Sequence, residues 1–563
     1  MGGPPGAFAR RPARPGACGH GRRPSRRPGV LMSTVVVVGA GVAGLAAALS
    51  ASAAGADVTL VTKDLLPLPA PPAAVRAQAP HLAAALREFA GRGEELLRSG
   101  EHAGDPVVVA QVCRSAGRLA AQFASAGPAR PPAAGALGPD AAEEWLNGRL
   151  RSVLAARLAA AAGGGTVRAH QGLRAVEVLL DAAGRVRGLA ALNTRTLESV
   201  EFDADAVVLA DGGGSAMYAP SASADSACDG LALGLAAGAE AIDMEFVDFD
   251  PAGLVTEVIA RDGSPVTELL ASARCRLVDR LGECFAEGPT PLSRPHLARA
   301  VHQRVLAGRG FDDGSVHLEL GAGARTFVER RPALHARLVQ AGFDVTRDTV
   351  LPVRPRARAL LGGLRIDGRG RTGVPGLYAA GDTVGGIHGA ACGGAQGPAA
   401  AAATGRLAGR HAAAERATAS AVGGPRPTGG FRFAGRGPDS AEAILRELRT
   451  GMYLKAGPVR DAAGLTQMLG HLGVLEQRLR HVGLTAGPGA AAQVCAYLDV
   501  RHLLPASRAV VEAALRREES RGVHVRSDFP SSREQYVGYG VRLDRGELAW
   551  RVHARRAVTE PVR

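Results

Sequence analysis

The stretch VVVVGAGVAGLAAALSASAAGADVTLVTK, Val35 to Lys63, decides the fold. Four consecutive valines form a β-type run, because side chains branched at Cβ pack well on a pleated surface. The alanine- and leucine-rich segment from Val42 favours helix, and DVTLVTK from Asp57 returns to β character. Strand, turn, helix and strand in that order make a βαβ unit. Its turn holds Gly39, Gly41 and Gly44 in the spacing G-x-G-x-x-G. Gly39 permits the tight turn, Gly41 lets the backbone approach a diphosphate, and Gly44 lets the helix pack closely on the strand. With the N-terminus of the helix facing the anion, the pattern predicts a dinucleotide site.

An arginine-rich lead followed by an apolar run also imitates an export signal, but the valine strand and the glycine punctuation argue against one. No other run approaches the ~20 uninterrupted apolar residues of a membrane span. Residues 1–31 lack hydrophobic periodicity and are rich in Pro, Gly and Arg, so they are expected to be a disordered basic extension. They hold Arg10, Arg11, Arg14, Arg22, Arg23, Arg26 and Arg27 without a carboxylate, so much of the net charge of +14 lies there. The body is mildly basic and has no basic patch interleaved with aromatics, so no nucleic-acid partner is expected. The seven cysteines are dispersed without a C-x-x-C pair. That pattern predicts a reducing, cytoplasmic setting, no disulfide scaffold and no metal site.

Further along, Asp64–His81 reads as a proline-rich loop, followed by alanine-rich helix to about Ala161 with a break near GPARPPAAGALGPD. The segment from Gly165 reads as hairpin-like strands turning at Ala182 to Gly184, and EFDADAVVLADGGG as a strand ending in a glycine turn. The last part is mostly amphipathic helix. In PASRAVVEAALRREESRG, Pro505 is placed near a helix start and Gly522 at its stop.

Taken together, the Gly39 block with TLVTK, GLYAAGDTVGGIHGA and RREESRGVHVRSDFP (Arg516 to Pro530) resemble one flavoprotein family. It includes L-aspartate oxidase and the flavin subunits of succinate dehydrogenase and fumarate reductase. CDGLALGLAAGAEAIDMEFVDFDPAGL and SRPHLARAVHQRV lie between them in the expected order, and the L-aspartate oxidase branch is the nearest fit. The resemblance implies an α/β fold: an FAD-binding Rossmann-like domain, an inserted α+β capping domain and a C-terminal helical domain. The expected divisions are 32–244 and 351–420 for FAD binding, 245–350 for the cap, 421–438 for a linker and 439–563 for the helical domain.

It also implies FAD as cofactor, held by Gly39, Ala40, Gly41, Ala43, Gly44, Lys63, Asp229, Gly381, Asp382, His388 and Gly389. Arg294 falls on the catalytic arginine, Thr267 and Glu268 on a Thr-Glu pair near the substrate, and Arg358 on a substrate-side position usually held by histidine. The implied reaction is oxidation of a small dicarboxylic amino acid, L-aspartate, to iminoaspartate for NAD biosynthesis, with hand-off to quinolinate synthase. Departures concentrate at the substrate end. Asp250 stands for the histidine of the family's Q-F-H-P run, Cys392 for the arginine closing H-G-A-N-R, and Ala271 to Arg274 for R-G-E-G. Proline-rich sequence replaces the Gly-Gly segment after the second strand. A silent FAD-binding paralogue or scaffold, or a fumarate reductase-like enzyme with an altered substrate, is therefore the competing expectation.

Overall fold

The computed structural model describes residues 32–67, 69–123, 139–221, 226–255, 275–287, 294–324, 332–345, 347–393, 396–415, 426–430, 435, 437–544 and 547–552. The basic extension 1–31, most of the expected linker, Thr267, Glu268 and Ala271 to Arg274 lie outside the described residues.

Thr34–Val38, Val42–Ala53 and Asp57–Thr62 form the expected strand, helix and strand. They nucleate a five-stranded parallel sheet in the order Leu377–Ala379, Ala206–Leu209, Thr34–Val38, Asp57–Thr62, Val167–Gln171. Val35, Val36 and Val37 are completely buried, as a parallel strand covered on both faces requires. Val42–Ala53 packs against Gln396–Ala412 through small residues. A Cβ on Gly405 would lie 2.1 Å from the Ala43 carbonyl oxygen, and one on Gly409 equally close to that of Ala47. This contact brings a late helix onto the mouth of the first strand.

Leu173–Leu180 and Val186–Asn193 pair as an antiparallel hairpin, and Glu198–Asp203 and Arg426–Gly430 extend that sheet. A second antiparallel sheet runs Cys284–Glu287, Arg276–Val278, Val316–Glu319, Val350–Leu360, Val247–Leu254. Helix Arg294–Leu306 packs on it, over a separate core that includes Leu277, Val301, Leu318 and Val353. The helices Ala441–Ala456, Ala462–Leu479 and Ala490–Arg516 pack on one another. The first two start on side-chain caps, with Ser440 Oγ accepting from the Ala443 N–H and Asp461 Oδ1 from the Gly464 N–H.

Several local expectations are corrected. Helix Pro72–Ala90 begins inside the expected proline loop and contains Pro80, and Ala490–Arg516 starts 15 residues before Pro505 and ends at Arg516, short of Gly522. Proline removes one N–H and crowds the preceding turn. At both sites the apolar face, with Leu82, Leu86 and Phe89 in one helix and Leu503, Leu504 and Val510 in the other, is buried and holds the helix through the proline. The segment EFDADAVVLADGGG is two strands, Glu198–Asp203 and Ala206–Leu209, in different sheets. The last described residues form a hairpin, Tyr539–Asp544 with Glu547–Val552, that its helix-like surroundings did not announce.

Candidate functional site

The glycine turn opens onto a cavity of about 620 Å³ that continues to a cluster of arginines and carboxylates on the second antiparallel sheet. Gly39, Ala40, Gly41 and Ala43 line one end, and Asp250, Arg356, Arg358 and Cys392 the other.

Each glycine of the turn has a different steric reason. Gly39 has φ +101°, and a Cβ there would sit 2.3 Å from the Ala210 carbonyl oxygen. A Cβ on Gly44 would stand 1.9 Å from the Gly39 carbonyl oxygen, so helix and strand close only over a hydrogen atom. Gly41, with φ −72°, has no atom within 4 Å of such a Cβ and faces the cavity. It leaves free the space into which a diphosphate fits, at the N-terminus of Val42–Ala53.

Beside the turn lies a buried polar knot. Lys63 Nζ is 3.0 Å from Asp229 Oδ2, and Arg174 Nη2 is 2.5 Å from Asp229 Oδ1. Burial opposes ionisation of Asp229, but Arg174 and Lys63 outweigh it and hold the carboxyl well below its ordinary range. His502 Nδ1 lies 2.7 Å from the same Oδ1. Burial pushes His502 down, so the neutral ring donates its Nδ1–H to an acceptor-only carboxylate.

Asp211, at the end of strand Ala206–Leu209, accepts from the Gly230 N–H through Oδ2 at 2.7 Å and also lines the cavity. Its Oδ1 is buried without a hydrogen-bond partner. Burial, then the charge of Asp229, push its carboxyl up to about 7. The folded state therefore holds this proton over a range in which the unfolded chain, at 3.8, has lost it. Stability from this group is full below pH 3.8 and is lost as pH rises toward about 7. Asp211→Asn is expected to raise the apoprotein melting temperature at pH 8 by on the order of 2–4 °C. The gain should shrink on acidification, as thermal unfolding at both pH values will show.

At the far end, Arg356 binds Asp250 through Nε at 2.9 Å and Nη2 at 2.7 Å. Arg358 binds Asp248 at 2.8 Å and Glu143 at 2.7 Å, and donates to the Cys392 carbonyl at 3.2 Å. Burial works against the Arg358 charge, yet Asp248 and Glu143 raise its pKa well above the ordinary value. Arg294, first residue of its helix, reaches Asp248 at 3.4 Å and Asp250 at 3.5 Å, just behind the cavity wall. Three guanidinium groups thus face three carboxylates. Burial pushes the Cys392 thiol up to about 12, so it adds no charge.

The structure brings Gly39, Ala40, Gly41, Ala43, Lys63, Asp229, Gly381, Asp382, His388 and Arg358 onto one cavity. Gly44 and Gly389 act behind it. Gly389, at φ +59°, packs on the Gly100 carbonyl oxygen, which a Cβ would approach to 2.6 Å. Asp211 was legible as an acid at the end of a β run before three glycines. Arg174, His502, Asp248 and Glu143 had no local signal, since their partners lie far off in sequence.

Residues 67–397 match the FAD binding domain family, residues 445–559 the fumarate reductase flavoprotein C-terminal family, and residues 16–68 the alanine dehydrogenase/PNT C-terminal domain. The L-aspartate oxidase of Caulobacter vibrioides is 34% identical, over 92% of this chain and 98% of its own length. The chain belongs to the succinate dehydrogenase and fumarate reductase flavoprotein family. Another relative, from the fumarate reductase (CoM/CoB) of Methanothermobacter marburgensis, is 31% identical over 64% of this chain and 67% of its own length. Sdh1 of Mycobacterium smegmatis, solved in complex with UQ1, superposes with TM-score 0.77 at 26% identity, covering 91% of both chains. The flavoprotein is an FAD-dependent oxidoreductase with an FAD-binding domain and a C-terminal helical domain. Among its described residues no helix is long and apolar enough to cross a membrane.

Proposed function

We propose that this flavoprotein oxidises a small amino acid at Cα, the type of reaction for which its L-aspartate oxidase relatives are named. The observation that carries the reading is the continuity of one cavity from the glycine turn to the arginine and carboxylate cluster. Gly39, Ala40, Gly41 and Ala43 would cradle the FAD diphosphate, with Gly44 closing the turn. Lys63 and Asp229 would lie toward the adenosine, and Gly381, Asp382 and His388 toward the flavin, with Gly389 supporting that wall. When bound, FAD supplies the hydride acceptor.

The chain must orient Cα–H and take up the proton released from the amino group. Asp250 is the carboxylate of the Asp248/Asp250 pair that faces the cavity, and Arg294 and Arg356 fix its position. We assign it the proton and give Arg294 the task of holding the two acids together. Thr267 and Glu268, outside the described residues, keep their proposed place near the substrate. With L-aspartate as substrate the product is iminoaspartate, and the enzyme would work in the cytoplasm and pass it to quinolinate synthase.

A second reading, an oxidoreductase of this fold with a less acidic substrate, is favoured by the pairing of all three arginines with carboxylates of the chain itself. Both readings predict that a suitable amino acid bleaches the bound flavin without oxygen. Arg294→Ala is expected to slow that reduction by on the order of 100-fold, about 2.7 kcal/mol of barrier. Stopped-flow absorbance of holoprotein checks this. An unchanged rate would remove Arg294 from the reaction.

A further inference from the structure

The charge at the reacting end of the cavity says what kind of substrate it can take. Among the described residues, Arg294, Arg356 and Arg358 are matched by Asp248, Asp250 and Glu143. Asp248 and Asp250 are almost completely buried, so neither can turn to water if a ligand takes its arginine. Capturing two substrate carboxylates on these three arginines would require stripping at least one guanidinium group from its acid. The displaced acid would then stand beside a newly bound one, like charge against like charge.

One carboxylate is a different matter. Arg356 meets Asp250 through Nε and Nη2, which leaves the hydrogens of Nη1 for a ligand without breaking the existing pair. Asp250 and Glu143 offer carboxylate oxygens to an ammonium group in the same cavity. Ala359, Leu360, Leu361 and Ile387 contribute an apolar wall to it.

We infer that the substrate is a monocarboxylic α-amino acid with an uncharged side chain, and that the site discriminates against dicarboxylates. The inference rests on the amino acid oxidation proposed above. In that reaction the amino acid would give up Cα–H as a hydride, for which FAD would be the two-electron acceptor, and one N–H proton to the chain. The C–N single bond would become a C=N double bond.

The test uses holoprotein under nitrogen. Dissociation constants for L-leucine, L-methionine, L-aspartate and succinate are read from the perturbation of the flavin spectrum, and bleaching is followed separately. The uncharged amino acids are expected to bind at least about tenfold more tightly than L-aspartate and succinate. Asp250→Asn, which frees the Nε and Nη2 donors of Arg356, is expected to tighten succinate by about tenfold or more. Glu143→Gln, at a partly exposed position that releases Arg358 Nη1, is expected to shift succinate in the same direction and carries the test if the first variant fails to fold. Succinate or L-aspartate binding as tightly as L-leucine, no perturbation by any uncharged amino acid, or no gain of succinate in either variant would overturn the inference. Tight binding of L-leucine without bleaching would instead refute the oxidation and leave the charge preference standing.

Discussion

Gly41→Val is expected to yield a folded protein that has lost FAD affinity by on the order of 100-fold or more, about 2.7 kcal/mol or above. Two features of the position separate binding from folding. Its backbone, φ −72° and ψ −179°, is extended and open to any residue, and no atom lies within 4 Å of the new Cβ. The new Cβ therefore meets nothing in the protein, and it stands on the cavity lining beside the helix N-terminus, where a diphosphate would have to come against bare backbone. Gly44→Val makes the useful contrast, since its Cβ would collide with the Gly39 carbonyl and disturb the turn itself. Melting curves of the apoproteins and FAD titrations of both variants check the pair. Retention of full FAD affinity by Gly41→Val would remove the diphosphate from this turn.

The second large effect concerns the C-terminal block RREESRGVHVRSDFP. Arg517 Nε lies 2.5 Å from Glu245 Oε1, its Nη1 2.9 Å from Glu519 Oε1, and all three side chains are fully buried. Glu519 also accepts from Arg521 and from the Arg533 N–H. Burial would push Glu519 up, but these hydrogen bonds hold its carboxyl below the ordinary range. Glu245 begins the passage into strand Val247–Leu254, so this knot ties the end of the helical region to the strand that carries Asp248 and Asp250. Arg517→Ala strands the buried Glu245 carboxylate, takes one donor from Glu519, and is expected to destabilise the protein by about 3–5 kcal/mol. Arg517→Met combined with Glu245→Met should recover part of that loss, because one uncompensated charge goes with its partner. Urea unfolding followed by far-UV circular dichroism measures both, and a loss below about 1 kcal/mol for Arg517→Ala would deny the knot its structural weight.

What could be read from the chain beforehand follows the range of the forces involved. The glycine turn was legible because its requirements are local: a positive φ at Gly39 and the contact between Gly44 and Gly39 arise within six residues. The hairpin around Asp181 to Arg185 was legible for the same reason. Pro80 and Pro505 misled, since burial of a helix face outweighed a local penalty that sequence alone makes look decisive. The electrostatics of the site were hidden more deeply. Arg358 could be marked as a spare cation, but its partners Asp248 and Glu143 are 110 and 215 residues away, and only the folded chain shows its charge already spent. Arg294 likewise had a motif position but no visible partners. The knot around Asp229 joins Lys63, Arg174 and His502 from three separate segments, and nothing in their spacing announces it.

We propose that one FAD lies along this cavity, from the Gly41 backbone to the Asp250 and Arg356 end. Titration of wild-type apoprotein with FAD, followed by flavin absorbance and fluorescence, tests it most directly. Saturation at one FAD per chain is the predicted result, with a spectrum that shifts when an amino acid is added. Protein that stays colourless at saturating FAD, or flavin that binds but ignores every carboxylate ligand, would contradict it.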